Sequence, residues 1–235
     1  MNNFGLLTTL NHPLIDGYLG AIEKLNIRGF IVLLDSKILS KSDKKIINNR
    51  IGNWKPSEEY KFSKYEANYK CPYYYLESHN SKETKNLIKA NNLQFLVNAG
   101  TTRKISLEII KSLPKGILNV HPGNIPKYRG QDTPEWALLN KDPIEITAHL
   151  MGEEYDYGPT VMSKKLDIKG IKTYQEFRRM IYKSIFDITA LATKKLQTND
   201  KLNFTFRNEI KADLYKAMPK ETFEKFINDN FLTNQ

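Results

Sequence analysis

Cysteine and long apolar runs are what this sequence has least of. Its one cysteine, Cys71, allows no intramolecular disulfide and no zinc site built on paired cysteines. The longest apolar run, Phe30–Leu34, is far shorter than the roughly 20 residues that a membrane-spanning helix needs. The first basic residue is Lys24, so the N-terminal stretch does not resemble a secretory signal. We therefore expect a cytoplasmic protein that does not contact a membrane.

Acidic residues are also in the minority. The sequence has 36 Lys and Arg against 26 Asp and Glu, which gives a formal net charge of +10. Such a surplus attracts anions, whether nucleic acid, phospholipid headgroups or phosphorylated small molecules. The lysines are scattered along amphipathic segments, however, so a solvated basic surface without a polyanionic partner is an equally good interpretation. The 40% hydrophobic content excludes wholesale disorder.

Short apolar runs alternate with amphipathic segments in the first half of the chain. Residues 52–70 are polar and without periodicity, and we expect them to be irregular. Near-continuous apolar strands separated by helices predict a Rossmann-like α/β fold, a mostly parallel sheet covered by helices. We expect strands at 3–9, 28–34, 72–76, 93–99 and 116–120, and helices at 12–25, 37–51, 81–91 and 106–113.

The pattern changes in the second half. We predict a catalytic domain over 1–198 and a short C-terminal β/α extension over 199–235. The alternating KLNFTFR segment of that extension could pair with a second copy of itself, so we expect a homodimer. The expected elements are a helix at 134–139, antiparallel strands at 145–151 and 160–168, a long helix at 174–195, a strand at 201–207 and a helix at 220–228.

Residues suited to chemistry lie between Asn119 and Pro159. Asn119 and His121 are two positions apart at the end of a predicted strand, so their side chains share a face, and Pro122 ends that strand. Ligands of open α/β sheets bind at this edge. Asp156 lies in a glycine-bearing turn after the next predicted strand, where its carboxylate could orient the imidazole of His121.

Each of these residues has a simpler interpretation when it is taken alone. An isolated Asn-x-His-Pro is seldom catalytic, and Asp156 could be an ordinary turn former. His149 alternates with apolar neighbours, which favours a hydrogen-bonded histidine of the sheet. His12 could help to place a phosphate near a helix N-terminus or could cap the helix. His79 lies in a polar stretch and belongs to no motif.

Four motifs nevertheless occur together and in order. They are N-x-H-P-G-x-I-P-x-Y-R-G from Asn119, W-A-L-L-N from Trp136, I-T-A-H-L-M from Ile146 and D-Y-G-P from Asp156. The series resembles the folate-dependent formyltransferases, strongly over residues 93–168 and only by pattern before them. That family includes glycinamide ribonucleotide formyltransferase, methionyl-tRNA formyltransferase and the sugar N-formyltransferases. The resemblance implies the formyltransferase fold and an enzyme that moves a formyl group from 10-formyltetrahydrofolate to an amine.

The resemblance makes Asn119, His121 and Asp156 the catalytic residues. Asn119 would donate an N–H to the oxygen that becomes negative as the amine attacks the formyl carbon. His121 would stabilise the same oxygen or move a proton from the amine to the folate nitrogen. Asp156 would orient His121 and favour its charged form. This chemistry requires no metal. The resemblance also implies two walls of a folate site, formed by Thr102, Arg103 and Ile105 and by Met151, Gly152 and Tyr155.

Comparison with the members of this family predicts which amine accepts the formyl group. Too few residues follow the long helix for the β-barrel of the tRNA enzymes, and residues 8–14 lack the glycines of the purine enzymes' phosphate loop. We therefore expect a small-molecule nucleotide-linked amino sugar of the dTDP-4-amino-4,6-dideoxyglucose type, as in O-antigen and lipopolysaccharide synthesis. The expected substrate contacts are Asn11, Asn124, Tyr128, Gly130 and Gln131.

Two alternatives stay open. One is a glycinamide ribonucleotide formyltransferase with an altered phosphate loop. The more distant one is a basic nucleic-acid-binding protein on a degenerate enzyme scaffold, which would show steeply salt-dependent polyanion binding.

Overall fold

The computed structural model describes residues 4–59, 71–198 and 212–232. Its strands are β1 (Phe4–Thr9), β2 (Phe30–Asp35), β3 (Tyr73–Leu76), β4 (Phe95–Asn98), β5 (Ile117–His121), β6 (Arg129–Gly130), β7 (Glu145–Leu150), β8 (Thr160–Lys165) and β9 (Leu214–Tyr215). A seven-stranded sheet has the order β3-β2-β1-β4-β5-β7-β8, and β6 pairs separately with β9. The first five strands are parallel, whereas β7 runs antiparallel to both of its neighbours.

Helices cover both faces of this sheet. They are α1 (Ile15–Lys24), α2 (Lys41–Ile51), α3 (Pro56–Glu59), α4 (Lys82–Ala90), α5 (Leu107–Lys111), α6 (Thr133–Leu139), α7 (Tyr174–Thr198) and α8 (Lys220–Ile227), and a π-helical turn (Asn228–Leu232) follows α8. Among the described residues, no helix is long and apolar enough to cross a lipid bilayer.

The apolar strands are buried because successive side chains enter different cores. Phe4 and Leu6 belong to the larger core, which also contains residues of α1 and α7. Leu7 belongs to the smaller core, on the side of α4 and α5. Both faces of the central strands are therefore covered, as parallel sheets require. The predicted Rossmann-like α/β fold class is confirmed, and so is the predicted antiparallel pairing of the strands after residue 145.

Several local predictions were wrong, and one is the helix expected at 37–51, which begins at Lys41 with Ser40 as its N-cap. The first helix begins at Ile15 and not at His12. The reason is a turn: Asn11 has a left-handed backbone with φ 55°, and the ring of His12 accepts a hydrogen bond from the Leu14 N–H. The stretch expected to be irregular contains α3, and its residues 60–70 lie outside the described part of the chain.

The described residues of the predicted C-terminal extension, 212–232, pack on the rest of the chain. Strand β9 pairs with β6, and Met218, Phe226 and Phe231 belong to the larger core. The indole N–H of Trp136 also donates to the Lys216 carbonyl. The strand predicted over 201–207 lies outside the described residues.

Candidate functional site

Polar side chains gather where β4 and β5 end. Asn98 is the last residue of β4. Asn119 and His121 are the third and the last residues of β5, so they lie on the same face of the strand. On the other side of β5, the antiparallel register places His149 directly opposite Asn119. The sheet therefore brings Asn98, Asn119 and His149 together at the edge where open α/β sheets bind ligands.

A chain of hydrogen bonds fixes the amide of Asn119. Its Oδ1 accepts from Asn98 Nδ2 at 2.9 Å, and its Nδ2 lies 3.1 Å from His149 Nε2. His149 Nδ1 lies 3.1 Å from the Leu150 carbonyl, which can only accept, so Nδ1 carries the hydrogen and Nε2 accepts from Asn119. Burial lowers the pKa of His149 to about 4, and the ring is neutral at pH 7. One N–H of the Asn119 amide then remains for a ligand.

Asp156 lies beside His121, with Oδ1 3.3 Å from Nδ1. Its other oxygen accepts from the Gly130 N–H at 3.0 Å, and its own backbone is left-handed with φ 46°. Burial acts to raise the pKa of Asp156, but the His121 ring and the Gly130 N–H outweigh burial and lower this pKa to about 2. The group is therefore a carboxylate at neutral pH and places a negative charge beside the ring of His121.

The second nitrogen of His121 also faces acceptors. Nε2 lies 3.0 Å from the Tyr128 carbonyl and 3.3 Å from Thr133 Oγ1, whose own hydrogen goes to the Pro122 carbonyl. Both ring nitrogens therefore face hydrogen-bond acceptors, the Asp156 carboxylate at Nδ1 and the Tyr128 carbonyl at Nε2. His121 is 5% exposed, so it acts from beneath the surface of the site.

Two glycines allow this packing. A Cβ on Gly158 would lie 1.9 Å from the Leu150 carbonyl oxygen, and one on Gly123 would lie 2.4 Å from the Tyr128 carbonyl oxygen. Both obstacles are backbone atoms that cannot rotate away. The glycines of the H-P-G and D-Y-G-P motifs are therefore needed for the close approach of Gly123 to Tyr128 and of Gly158 to the end of β7.

Arg129 fastens the loop that carries Asp156. It is 3% exposed, and its guanidinium donates to the backbone carbonyls of Tyr155 at 2.7 Å and Asp156 at 3.2 Å. It also donates to the Ala212 carbonyl at 2.9 Å. One buried cation thus ties the Asp156 loop to the C-terminal extension.

The two predicted folate walls meet at a cavity of about 170 Å³. Five of the six predicted folate residues line it, namely Arg103, Ile105, Met151, Gly152 and Tyr155, together with Asn119, His149 and Asp156. The sixth, Thr102, is not in the lining, and its hydroxyl donates to the Lys37 carbonyl. His121 is not in the lining either. The side chains of Asn119 and Asp156 are therefore both part of the polar lining of this cavity.

The lining fits the ring system of a folate. Ile105 and Met151 supply apolar contact, and the ring of Tyr155 is 51% exposed with the Lys104 ammonium 4.9 Å from its centroid. The cavity is smaller than the roughly 300–1,000 Å³ typical of pockets that enclose a whole ligand. The remainder of a bound folate would accordingly extend over the surface.

The five residues predicted to contact the acceptor substrate do not line this cavity. Asn11 and Gln131 are exposed, and Asn124 is half-buried. Tyr128 is 1% exposed, its hydroxyl donates to Asp142, and its ring stacks on Tyr215. Gly130 holds Asp156 through its N–H.

Sequence reasoning missed Asn98 and Thr133. A polar residue at the end of an apolar strand, as in LVNAG, is the signal that could have indicated Asn98. Thr133 offers no such signal, because its contact with His121 depends on how the loop between them folds back. Among the described residues, no group of three or more His, Cys, Asp and Glu side chains is arranged to hold a metal ion.

Curated relatives of this chain are methionyl-tRNA formyltransferases. The Borrelia duttonii enzyme is 29% identical over 116 residues, which is 49% of this chain and 38% of that protein. The Thermotoga neapolitana enzyme is 28% identical over 147 residues, which is 62% of this chain and 46% of that protein. The chain thus matches less than half the length of these relatives.

Solved structures share the fold at low identity. A sugar N-formyltransferase from Shewanella has a TM-score of 0.59 at 17% identity, and the match covers 88% of this chain and 74% of that one. A phosphoribosylglycinamide formyltransferase from Bacillus halodurans has a TM-score of 0.58 at 14% identity, covering 85% and 97%. Residues 36–184 match the formyl transferase family. Since that match spans more than half of the chain and includes the Asn119, His121 and Asp156 cluster, the chain belongs to the formyl transferase family.

Proposed function

We propose that this protein transfers a formyl group from 10-formyltetrahydrofolate to the amine of a nucleotide-linked amino sugar of the dTDP-4-amino-4,6-dideoxyglucose type. We call the cavity of about 170 Å³ lined by the predicted folate residues the folate-side cavity. The observation that carries the reaction class is the fixed Asn119 amide at this cavity, next to the His121–Asp156 pair. When bound, the folate supplies the formyl group.

The side chains divide the work by their chemistry. Asn119 donates its remaining N–H to the formyl oxygen, where negative charge develops, an effect typically worth about 3–4 kcal/mol. His121 takes the proton that leaves the amine and passes it to the folate nitrogen, while Asp156 stays ionised and stabilises the ring as long as it is charged. A bond forms between the amine nitrogen and the formyl carbon, the bond from that carbon to the folate nitrogen breaks, and the folate nitrogen gains the proton.

The loop after β1 supports an acceptor other than a small phosphate monoester. His12 is buried in this loop, and burial lowers its pKa to about 4, so it supplies no positive charge at neutral pH. Its Nδ1 already accepts from the Leu14 N–H. The loop therefore has neither a cation nor the glycines that let a backbone approach a phosphate closely.

A second cavity supports a nucleotide-sized acceptor. It has a volume of about 940 Å³ and lies between α2, the start of α7 and α8. Lys172 and Lys220 contribute positive charge to its lining, and Tyr174 and Phe223 contribute aromatic rings. Asp132, also in the lining, directly precedes the Thr133 that contacts His121. Such a cavity has room for a base and charge for a diphosphate.

The direct test is a comparison of acceptors. Purified protein with 10-formyltetrahydrofolate is offered dTDP-4-amino-4,6-dideoxyglucose, glycinamide ribonucleotide or methionyl-tRNA, and the formylated product is measured. We expect turnover with the amino sugar, loss of turnover in His121→Ala, and normal turnover in the control Lys89→Ala on the remote helix α4. Turnover with the ribonucleotide or the tRNA alone would keep the reaction class and overturn the acceptor.

We also propose a homodimer formed through the C-terminal extension. Leu214 of β9 is 45% exposed although it lies in a strand, which supports a contact at this edge. Sedimentation of wild type as a dimer and of Leu214→Glu as a monomer is the expected result. A wild-type monomer at micromolar concentration would contradict the proposal.

A further inference from the structure

Asp35 is a buried carboxylate outside the catalytic cluster. It ends β2, is fully buried, and accepts hydrogen bonds from the backbone N–H groups of Lys37 at 2.7 Å and His79 at 2.8 Å. The Nε of Arg103 lies 2.9 Å and 2.7 Å from its two oxygens. Burial acts to raise the pKa of Asp35, but Arg103 and the two N–H groups outweigh burial and hold this pKa below its usual value. The carboxylate is therefore charged and fully partnered.

These contacts converge on one wall of the folate-side cavity. Residues 99–106, between β4 and α5, contribute Thr101, Arg103 and Ile105 to the lining of that cavity. Thr101 Oγ1 lies 2.8 Å from the Nδ1 of the fully buried His79, whose Nε2 donates to the Leu33 carbonyl at 2.8 Å. The side-chain amide of Asn80 donates to the Lys104 carbonyl at 3.0 Å.

Arg103 is occupied within this network. Its Nε is bonded to Asp35, and its Nη2 donates to the Glu77 carbonyl at 3.1 Å. These atoms tie the wall to the ends of β2 and β3 and are not available to a ligand. Arg103 therefore has a structural role in this wall, besides the folate contact predicted for it.

We propose that Asp35 and Arg103 are positioning residues, whose ion pair holds residues 99–106 in the one conformation that receives the folate. The proposal rests on the proposed function, because it takes 10-formyltetrahydrofolate as the donor. A wall that samples other conformations binds its ligand more weakly, in proportion to the fraction of competent protein. Steps that follow folate binding depend on Asn119, His121 and Asp156 and are unchanged.

The test combines folate binding with kinetics. Calorimetry with 5-formyltetrahydrofolate, which is chemically stable, measures folate affinity without an acceptor, and steady-state assays give KM and kcat for 10-formyltetrahydrofolate. The variants are Asp35→Asn, Arg103→Gln, the double variant and Arg103→Lys. Lys85→Gln is the matched control, because it removes the exposed Lys85–Glu108 ion pair between α4 and α5.

We expect Arg103→Gln to weaken folate binding and raise the folate KM by about tenfold or more. We expect kcat at saturating folate and the acceptor KM to stay within about twofold of wild type. The double variant should bind folate no more weakly than the single variant of lower affinity, because each single substitution already removes the same ion pair. Arg103→Lys should be intermediate, since an ammonium keeps the charge without the planar fork.

Arg103 is 29% exposed in its side chain, so its variants remain informative if Asp35→Asn fails to fold. Wild-type folate affinity in folded Arg103→Gln would overturn the positioning role. A loss of kcat without a change in folate affinity would also overturn it. Failure of wild type to bind folate would instead remove the proposed function, and this inference with it.

Discussion

At the residue scale, the geometry of the site depends on which ring nitrogen of His149 carries the hydrogen. His149 is a satisfied histidine of the sheet, as its alternating neighbours suggested, yet it also fixes the amide of Asn119. The acceptor on its Nδ1 side is a carbonyl, so the tautomer is determined and only Nε2 can accept. Structural and functional interpretations of this histidine are therefore compatible.

Replacing Asn119 by alanine should remove the donor to the developing oxyanion. We expect kcat to fall by about 10²–10³-fold, with a small change in the folate KM. The control is Asn91→Ala, because Asn91 only caps α4 through its bond to the Leu87 carbonyl. A loss confined to KM would show that Asn119 binds the ground state and does not stabilise the transition state.

Two buried histidines should make stability depend on pH. Burial lowers the pKa of His12 and of His149 from 6.5 to about 4. Between these values the unfolded chain binds more protons, so stability is fully present above pH 6.5 and declines as the pH falls towards 4, by up to about 3 kcal/mol per group.

Urea unfolding at pH 7 and pH 5 measures this effect. Wild type should lose stability between the two, and the double variant His12→Asn/His149→Asn should lose clearly less. An equal loss in both proteins would assign the pH dependence to other groups.

At the element scale, the turn between β7 and β8 places Asp156. Gly158→Ala would put a Cβ against the Leu150 carbonyl, so the turn must shift and carry Asp156 away from His121. We expect activity to fall by about 10²-fold and stability by about 1–3 kcal/mol. Gly170→Asn is the control, because nothing lies within 4 Å and asparagine tolerates its φ of 83°. Equal activity in both variants would contradict the role of the turn.

Elements and motifs were predictable where the signal is local. The shared face of Asn119 and His121 follows from the two-residue period of a strand, and the apolar runs indicated the parallel sheet. The contact of His149 with Asn119 was not predictable, because it depends on the register between β5 and β7. Asp35 and Arg103 are 68 residues apart and belong to no common motif, so only the fold reveals their pairing.

At the scale of the whole molecule, residues 212–232 share one core with the main sheet and its helices. Phe226 is fully buried in this core and contacts the rings of Tyr174 and Phe231. Phe226→Ala should therefore lower the free energy of unfolding by about 3–5 kcal/mol in a single transition. Lys225→Ala, at an exposed position of the same helix, is the control and should change it by less than about 0.5 kcal/mol. A separate early transition in Phe226→Ala would show instead that the extension unfolds independently.

The most direct test of the account is the transfer of a labelled formyl group from 10-formyltetrahydrofolate to dTDP-4-amino-4,6-dideoxyglucose in a single turnover. The account predicts a labelled formamide on the sugar with wild type, and its near absence with folded Asp156→Asn, in which the carboxylate beside His121 is neutral. Equal rates with both proteins would contradict the role of the His121–Asp156 pair. Label that stays on the folate with wild type would contradict the proposed reaction for this acceptor.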